Sequence, residues 1–416
     1  MTLQQFATAI LWFVVLYPPV TAAIWLAGGL VFRLFDERTD IDHAPPQGWP
    51  PVTVLIPAYN EEQVIRTCVE SALAVDYPEL EILVLDDGST DATVSVAVQA
   101  GGGDPRLQVV QDPVNRGKAA RLNLGIRRAR HLLVIVCDAD TYMHPLAPKL
   151  LVARLLRSRL TAAVAAGPHV SNRTTFLCAM QVLEAASIIG LIRRSQALRG
   201  RVGTVAGVLA LFRREAVLAV GGYREEMATE DIDLSWRLLL AGWHTSYEPD
   251  ALIGMQVPAH LSALWAQRRR WARGQGEVLH EHLGSVLRWR QRGMWLIALE
   301  SIASLLWVVA WALALLVAAT DLFVPSWDSI VGFAIAWGVA IAVICTIQLA
   351  FALAIDSRYD ERALRVFLLG PLYPVFFWAI SALAALRSEL AAVVKGPAEH
   401  RVSWDIPRDP ADAVPR

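Results

Sequence analysis

Leu132-Leu-Val-Ile-Val-Cys-Asp-Ala-Asp140 decides how this chain folds. Leu132 to Val136 is an apolar run rich in β-branched residues, which reads as a strand buried on both faces of a sheet. It closes on two carboxylates, Asp138 and Asp140. In an open α/β sheet, ligands lie beyond the carboxyl ends of the strands. An Asp-x-Asp pair placed there can hold a hard divalent cation, Mg²⁺ or Mn²⁺, against a diphosphate, because carboxylate oxygen suits those ions. Standing alone, the pair is more often a solvated loop, so its meaning rests on its surroundings.

Outward from that strand, strands and helices alternate. Val52 opens a strand that turns at Pro57 into a helix over Glu61–Val75, stopped by Asp76-Tyr-Pro78. Glu81-Ile-Leu-Val-Leu-Asp-Asp-Gly-Ser-Thr-Asp91 is a second strand closed by an acidic turn and a capped helix. Leu107–Gln111 is a third strand, and Asn115-Arg-Gly-Lys118 opens another helix. This alternation predicts an α/β domain with a Rossmann-like, mostly parallel sheet. Further on come a helix over Ala147–Arg157, a strand over Thr161–Pro168 and a long helix over Phe176–Ala197. Val202–Phe212 reads as a strand pair or turn. Thr229, a plausible N-cap, begins a helix that ends near Gly242, and Trp265–His282 is amphipathic.

The flanks are of another kind. The 416 residues are 55% hydrophobic and 19% charged, a balance that calls for membrane segments. The first 32 residues carry no charge, and Phe6–Phe32 reads as a retained span interrupted at Pro18-Pro19. Trp295–Thr320, Ser329–Ile355 and Val366–Leu386 are apolar stretches long enough to cross ~30 Å of hydrocarbon, the last kinked at Gly370-Pro371 and Pro374. Arg33 and Arg38, and later Arg358, Arg362 and Arg365, favour cytoplasmic loops, which puts both termini outside. The net charge of -1 points to no nucleic-acid partner, and four scattered Cys read as reduced packing residues.

Five motifs stand in order: Pro57-Ala-Tyr-Asn-Glu61, Asp86-Asp-Gly-Ser89, Asp138-Ala-Asp140, Thr229-Glu-Asp231 and Gln267-Arg-Arg-Arg-Trp271. The series resembles membrane-embedded family 2 glycosyltransferases, the processive β-polysaccharide synthases. Glu184-Ala-Ala-Ser-Ile-Ile-Gly-Leu-Ile-Arg-Arg-Ser-Gln196, Thr204-Val-Ala-Gly-Val-Leu-Ala-Leu-Phe-Arg-Arg214 and Trp289-Arg-Gln-Arg-Gly-Met-Trp295 look like the branch that makes β-1,6-linked N-acetylglucosamine polymers of biofilms. The chain departs from it in having one N-terminal span where some relatives have two, and Ala139 where relatives often have Gly. The tail Val402-Ser-Trp-Asp405 echoes it only loosely. The resemblance implies a GT-A fold, with an N-terminal transmembrane helix and linker over 1–50 and a cytosolic GT-A domain over 51–258. Amphipathic interfacial helices over 259–294, three transmembrane segments over 295–390 and a polar tail over 391–416 complete it. It implies a multi-pass protein of the bacterial inner membrane, a UDP-sugar donor, a growing polysaccharide acceptor, and a small membrane subunit with cyclic di-GMP control.

Such a transferase must grip a nucleobase, neutralise a leaving diphosphate and deprotonate an acceptor hydroxyl. Ala58, Tyr59 and Glu61 end the first strand and can line a base or ribose pocket, uridine by the resemblance. Asp87 suits the same pocket, because a carboxylate accepts from N–H and O–H groups, while Asp86 supports the turn. Lys118 at a helix start can meet the pyrophosphate, or is simply solvated. Asp138 and Asp140 would hold the metal, Asp140 more directly. Asp231 is the candidate general base, drawn one way by the helix dipole and the other by burial. Glu230, Gln267, Arg270 and Trp271 are placed for the acceptor and diphosphate, since Trp271 can stack on sugar and Arg270 can pair with phosphate. The competing account of this helix is Arg and Trp lying at a membrane surface. Glu300, inside an apolar span, either lines a sugar-exit path or sits near the interface.

Overall fold

The computed structural model describes residues 3–38, 41, 45, 47–205, 207–319, 327–359 and 361–397; Thr320 and the tail motif Val402–Asp405 lie outside them. Eight strands form one sheet: β1 (Val52–Ala58), β2 (Leu80–Asp86), β3 (Leu107–Val110), β4 (Leu133–Cys137), β5 (Thr141–Met143), β6 (Thr161–Val170), β7 (Leu209–Arg213) and β8 (His244–Met255). Their order is β3-β2-β1-β4-β7-β6-β8-β5. The first four are parallel neighbours, β7 runs antiparallel between β4 and β6, and β5 antiparallel beside β8. The expected α/β GT-A architecture is therefore present, and the sheet is mixed although most of its strands run one way.

The β1 and β4 strands alternate between two cores, as a period of two requires. Val54 and Ile56 pack with helices α2 (Ile65–Leu73), α3 (Thr93–Gly101) and α5 (Ala147–Leu156). Leu55, Val134 and Val136 face α4 (Lys118–Arg128), α8 (Arg214–Ala219) and α9 (Glu230–Leu240) on the other side. Because β2, β1 and β4 are neighbours and parallel, the turns after Asp86, Ala58 and Cys137 open at one edge.

Several local expectations are corrected. Leu132 is exposed, and the central strand starts one residue later. The first helix begins at Ile65, not Glu61, because the loop after β2 captures the intervening N–H groups: Glu61 N–H donates to Thr93 Oγ1 at 2.7 Å and Glu62 N–H to Asp91 Oδ2 at 3.2 Å. Residues 202–205, 207 and 208 lie outside the sheet, and Leu209–Arg213 is the strand of that stretch. β5 and β8 were not foreseen. β8 runs beside β6 with a jump in register from Ala166↔Glu248 to Gly167↔Leu252. A Cβ at Gly167 would lie 2.4 Å from the Pro249 carbonyl, so the bulge requires glycine there.

Helix α1 (Leu3–Phe35) passes through Pro18-Pro19 without a break, against expectation. Proline at 18 removes the donor for the Val14 carbonyl, and the Trp307 indole N–H supplies it at 3.0 Å. Trp307 belongs to α11 (Trp295–Ala319). Among the described residues, four stretches are long and apolar enough to cross a membrane: Thr8–Phe35, Phe176–Ala197, Trp289–Leu316 and Phe376–Lys395. The second, α6 (Phe176–Glu184), a π-turn and α7 (Leu191–Ala197), is largely buried inside the protein. Helix α10 (Leu261–Val286) lies across the domain, and α12 (Trp327–Asp356) covers the third expected apolar stretch. The fourth changes character where its prolines fall, as expected: a 3₁₀ segment, Glu361–Leu372, holds Pro371, and helical turns continue from Pro374 to Lys395.

Candidate active site

Asp138, Asp140, Lys118, Glu230, Asp231, Gln267, Arg270 and Trp271 line one cavity of about 1140 Å³. Asp140 and Asp231, 91 positions apart in the sequence, therefore share one cleft. Asp138 is delivered by the end of β4, its N–H donating to Val208 O at 3.2 Å across the strand pair with β7. Lys118, the first residue of α4, pairs with Asp138 Oδ1 at 2.5 Å and with Glu230 Oε1 at 3.7 Å. Asp231 enters on the first turn of α9, where its carboxylate accepts from Gly207 N–H at 3.2 Å and Ile232 N–H at 2.9 Å.

One lysine faces several carboxylates. Burial pushes Asp138 above the ordinary carboxylate range, with Asp140 and Asp231 adding repulsion, and burial does the same to Glu230. The same acids hold Lys118 protonated well above its usual range despite its burial. The surplus of negative charge and the hard-oxygen donors suit a divalent cation. Among the described residues no three metal-ligating side chains converge, so any ion would need other oxygens to complete its shell.

Ala58, Tyr59, Glu61 and Asp87 do not line this cavity. Ala58 and Asp87 are fully buried at the ends of β1 and β2, linked by Asp87 N–H to Ala58 O at 2.9 Å. Asp87 accepts from Arg116 N–H at 2.8 Å and Gly117 N–H at 2.7 Å and pairs with Arg121 at 2.8 Å, so it braces the loop leading to Lys118. Asp86 accepts from Gly88 and Ser89 N–H, both at 3.3 Å, and supports the turn.

Helix α10 clamps the Thr229–Asp231 segment. Glu277, fully buried, accepts Ala228 N–H at 2.7 Å. Thr229 occupies the N-cap position of α9, its carbonyl accepting Asp233 N–H at 3.3 Å, but its side chain makes no cap bond and its Oγ1 is buried without a partner. It presses on Gly274, where a Cβ would fall 2.0 Å from Oγ1. Sequence reasoning missed Gly207 and Glu277, whose roles come from long-range contacts without a local pattern. Glu300 also lines the cavity and accepts from Trp25 Nε1 at 3.0 Å and Gln196 Nε2 at 3.1 Å.

A second tie between α9 and α10 is Asp233, which takes His282 Nε2 at 2.8 Å and Arg237 Nε at 2.7 Å. Burial alone would raise its pKa, but the bonds from His282 and Arg237 hold it below the ordinary carboxylate range. A depressed folded-state pKa gives stability that is present above the unfolded value of about 3.9 and lost as pH falls through the folded one. Asp233→Asn is therefore expected to lower the thermal midpoint at pH 7, with the gap to the parent closing in acid below about pH 4. A gap independent of pH would show that charge on Asp233 is not what stabilises this contact.

Comparison with known proteins agrees with this geometry. Residues 50–274 match the family described as "Glycosyltransferase like family 2". A poly-β-1,6-N-acetyl-D-glucosamine synthase of Staphylococcus epidermidis is 33% identical over 389 residues, covering 90% of this chain and 93% of the relative. The synthase of Staphylococcus aureus strain COL is 33% identical over 385 residues, with 90% and 92% covered. A mannosyltransferase from Pyrobaculum calidifontis, solved with GDP-Man and Mn²⁺, superposes with a TM-score of 0.61 at 19% identity, covering 95% of this chain and 99% of its own. A mixed GT-A sheet that ends in Asp138 and Asp140, a cleft they share with Asp231, and these sequence matches lead to one conclusion: the chain is an enzyme of glycosyltransferase family 2.

Proposed function

We propose that this enzyme is a processive, inverting transferase that polymerises N-acetylglucosamine from UDP-GlcNAc into poly-β-1,6-N-acetyl-D-glucosamine. It would pass the product across the bacterial inner membrane, with the catalytic domain on the cytoplasmic side. The observation that carries the reading is the continuity of the cavity. The space holding Asp138, Asp140 and Asp231 also reaches Tyr17, Thr21 and Trp25 of α1, Ser304 of α11 and Gln348 of α12. A polymer made at the acids would have polar and aromatic groups beside it among the apolar helices. The identity to two staphylococcal synthases supports the choice of sugar and linkage.

In this reading Tyr59, half-buried past the end of β1, serves the base and ribose end of the donor, with buried Ala58, Glu61 and Asp87 as its support, Asp87 by bracing the loop before Lys118. Lys118 sits at the N-terminus of α4, where its ammonium and the helix dipole meet the diphosphate. Asp138 and Asp140 would hold Mg²⁺ or Mn²⁺ together with diphosphate oxygens; when bound, the ion acts as a Lewis acid toward the leaving UDP. Asp231, oriented by the N–H groups of Gly207 and Ile232, takes the proton from the acceptor 6-hydroxyl as that oxygen attacks the anomeric carbon. Trp271 stacks on the acceptor sugar, Gln267 and Glu230 hold its polar groups, and Arg270 pairs with the diphosphate.

Membranes containing the full chain, given UDP-GlcNAc with Mg²⁺ or Mn²⁺, are expected to release UDP and make polymer cut by a β-1,6-hexosaminidase. Release from a different UDP-sugar would move the enzyme to another β-glycan, such as hyaluronan, a chitooligosaccharide or a glucan. No release from any UDP-sugar would end the proposal.

A further inference from the structure

We propose that Glu184 and Arg268 are positioning residues that hold Trp271 as a fixed platform for the acceptor sugar; this rests on the reading of the cavity as a polymerising site. Arg268 is nearly buried, and its two terminal nitrogens make a fork on Glu184 at 2.7 and 2.6 Å. Its guanidinium carbon lies 4.3 Å from the centre of the Trp271 ring and 5.1 Å from that of Phe377. Phe377 in turn stacks on Tyr373, centroids 5.5 Å apart and planes inclined by 14°. Trp271, Arg268, Phe377 and Tyr373 therefore follow one another in contact from the cavity into the last helical region. Trp271 remains 37% exposed at the cavity end.

The placement is built from elements far apart in the chain. Glu184 ends α6 where the helix passes into the π-turn Ala185–Gly190, a device that re-aims neighbouring side chains and recurs at functional sites. One turn earlier, Gln181 donates to Pro258 O at 2.8 Å, tying α6 to the segment that leads into α10. A buried ion pair is no better for stability than well-packed apolar side chains of like volume. Its specific gain here is direction. A planar guanidinium clamped at both terminal nitrogens presents a flat cationic face to the indole, which a lysine ammonium cannot do. The indole is thereby held in one orientation, and its cavity side can take the apolar face of a sugar ring without first losing rotamer freedom.

The test uses the full chain in membranes, UDP-GlcNAc, and a short β-1,6-linked N-acetylglucosamine oligomer as acceptor. Arg268→Lys and Glu184→Gln are expected to raise acceptor KM by about tenfold, in keeping with loss of a desolvated cation–π contact, and to shorten the product. Donor KM and kcat at saturating acceptor should stay within about twofold. In a Trp271→Ala background, Arg268→Lys should have no further effect on acceptor KM, a coupling that a purely structural ion pair would not produce. The charge-swapped pair Glu184→Arg with Arg268→Glu should elute as folded protein in detergent yet keep the raised KM. Unchanged acceptor KM in the single variants, additive effects in the Trp271→Ala background, or rescue by the swap would each overturn the proposal alone. A parent enzyme inactive toward UDP-GlcNAc would overturn the polymerase reading and this inference with it.

Discussion

Asp231→Asn is expected to lower kcat by about a thousandfold or more while UDP affinity stays within a few-fold, the loss typical when a positioned general base is removed. The substitution keeps the shape of the side chain and an oxygen that can accept one of the two N–H groups now held, from Gly207 at 3.2 Å and Ile232 at 2.9 Å. It removes the one thing the proposed step needs, a basic oxygen facing the acceptor hydroxyl. The proposed nucleotide end of the site, at the ends of β1 and β2 and the start of α4, is on other elements and should be undisturbed. Single-turnover release of UDP and calorimetric titration of UDP check the two halves separately. An equal loss of binding and turnover would make Asp231 a support for the Gly207 loop instead of a base.

This separation could be anticipated only in part from the chain itself. The parallel half of the sheet was legible because β1, β2 and β4 are buried on both faces and so are written as mostly apolar runs of Val, Ile and Leu closing on polar turns. β8 was not, because Pro249 and Asp250 interrupt its pattern and its pairing with β6 depends on the close approach at Gly167. The acids of the site were legible as motifs in order. Their arrangement was not: that Lys118 bridges Asp138 and Glu230, or that Glu277 grips the backbone before Thr229, follows from tertiary contacts that no local spacing encodes. Thr229 is the instructive case. Its residue type and position promise a cap, yet Gly274 lets α10 come so close that packing takes the side chain instead.

Arg194→Met is expected to destabilise the protein by about 3–5 kcal/mol, the cost of taking the paired cation from buried Asp356 and one of the cations from buried Glu37. Arg193 and Arg194 stand side by side in the sequence, but nothing local to them names their partners. Arg194 is 1% exposed and reaches Glu37 Oε1 at 3.2 Å and Asp356 Oδ1 at 2.8 Å, joining α7 to the ends of α1 and α12. Glu37, with no exposed surface, also accepts the Tyr359 hydroxyl at 2.7 Å and pairs with Arg358 at 3.3 Å. Arg358 continues to Asp250 in β8 at 2.9 Å, so the knot fastens the apolar helices to the sheet that carries the acids. Methionine fills much of the arginine stem's volume, which confines the effect to charge. The measurement is the apparent unfolding midpoint in detergent at one scan rate, because large membrane proteins unfold irreversibly and the midpoint shifts with rate. Adding Glu37→Gln and Asp356→Asn to Arg194→Met should recover most of the loss, since neutral amides leave no buried charge unpaired. A midpoint unchanged in the single variant, or no recovery in the triple, would mean that apolar packing of the helix ends, not this ionic knot, secures the catalytic sheet.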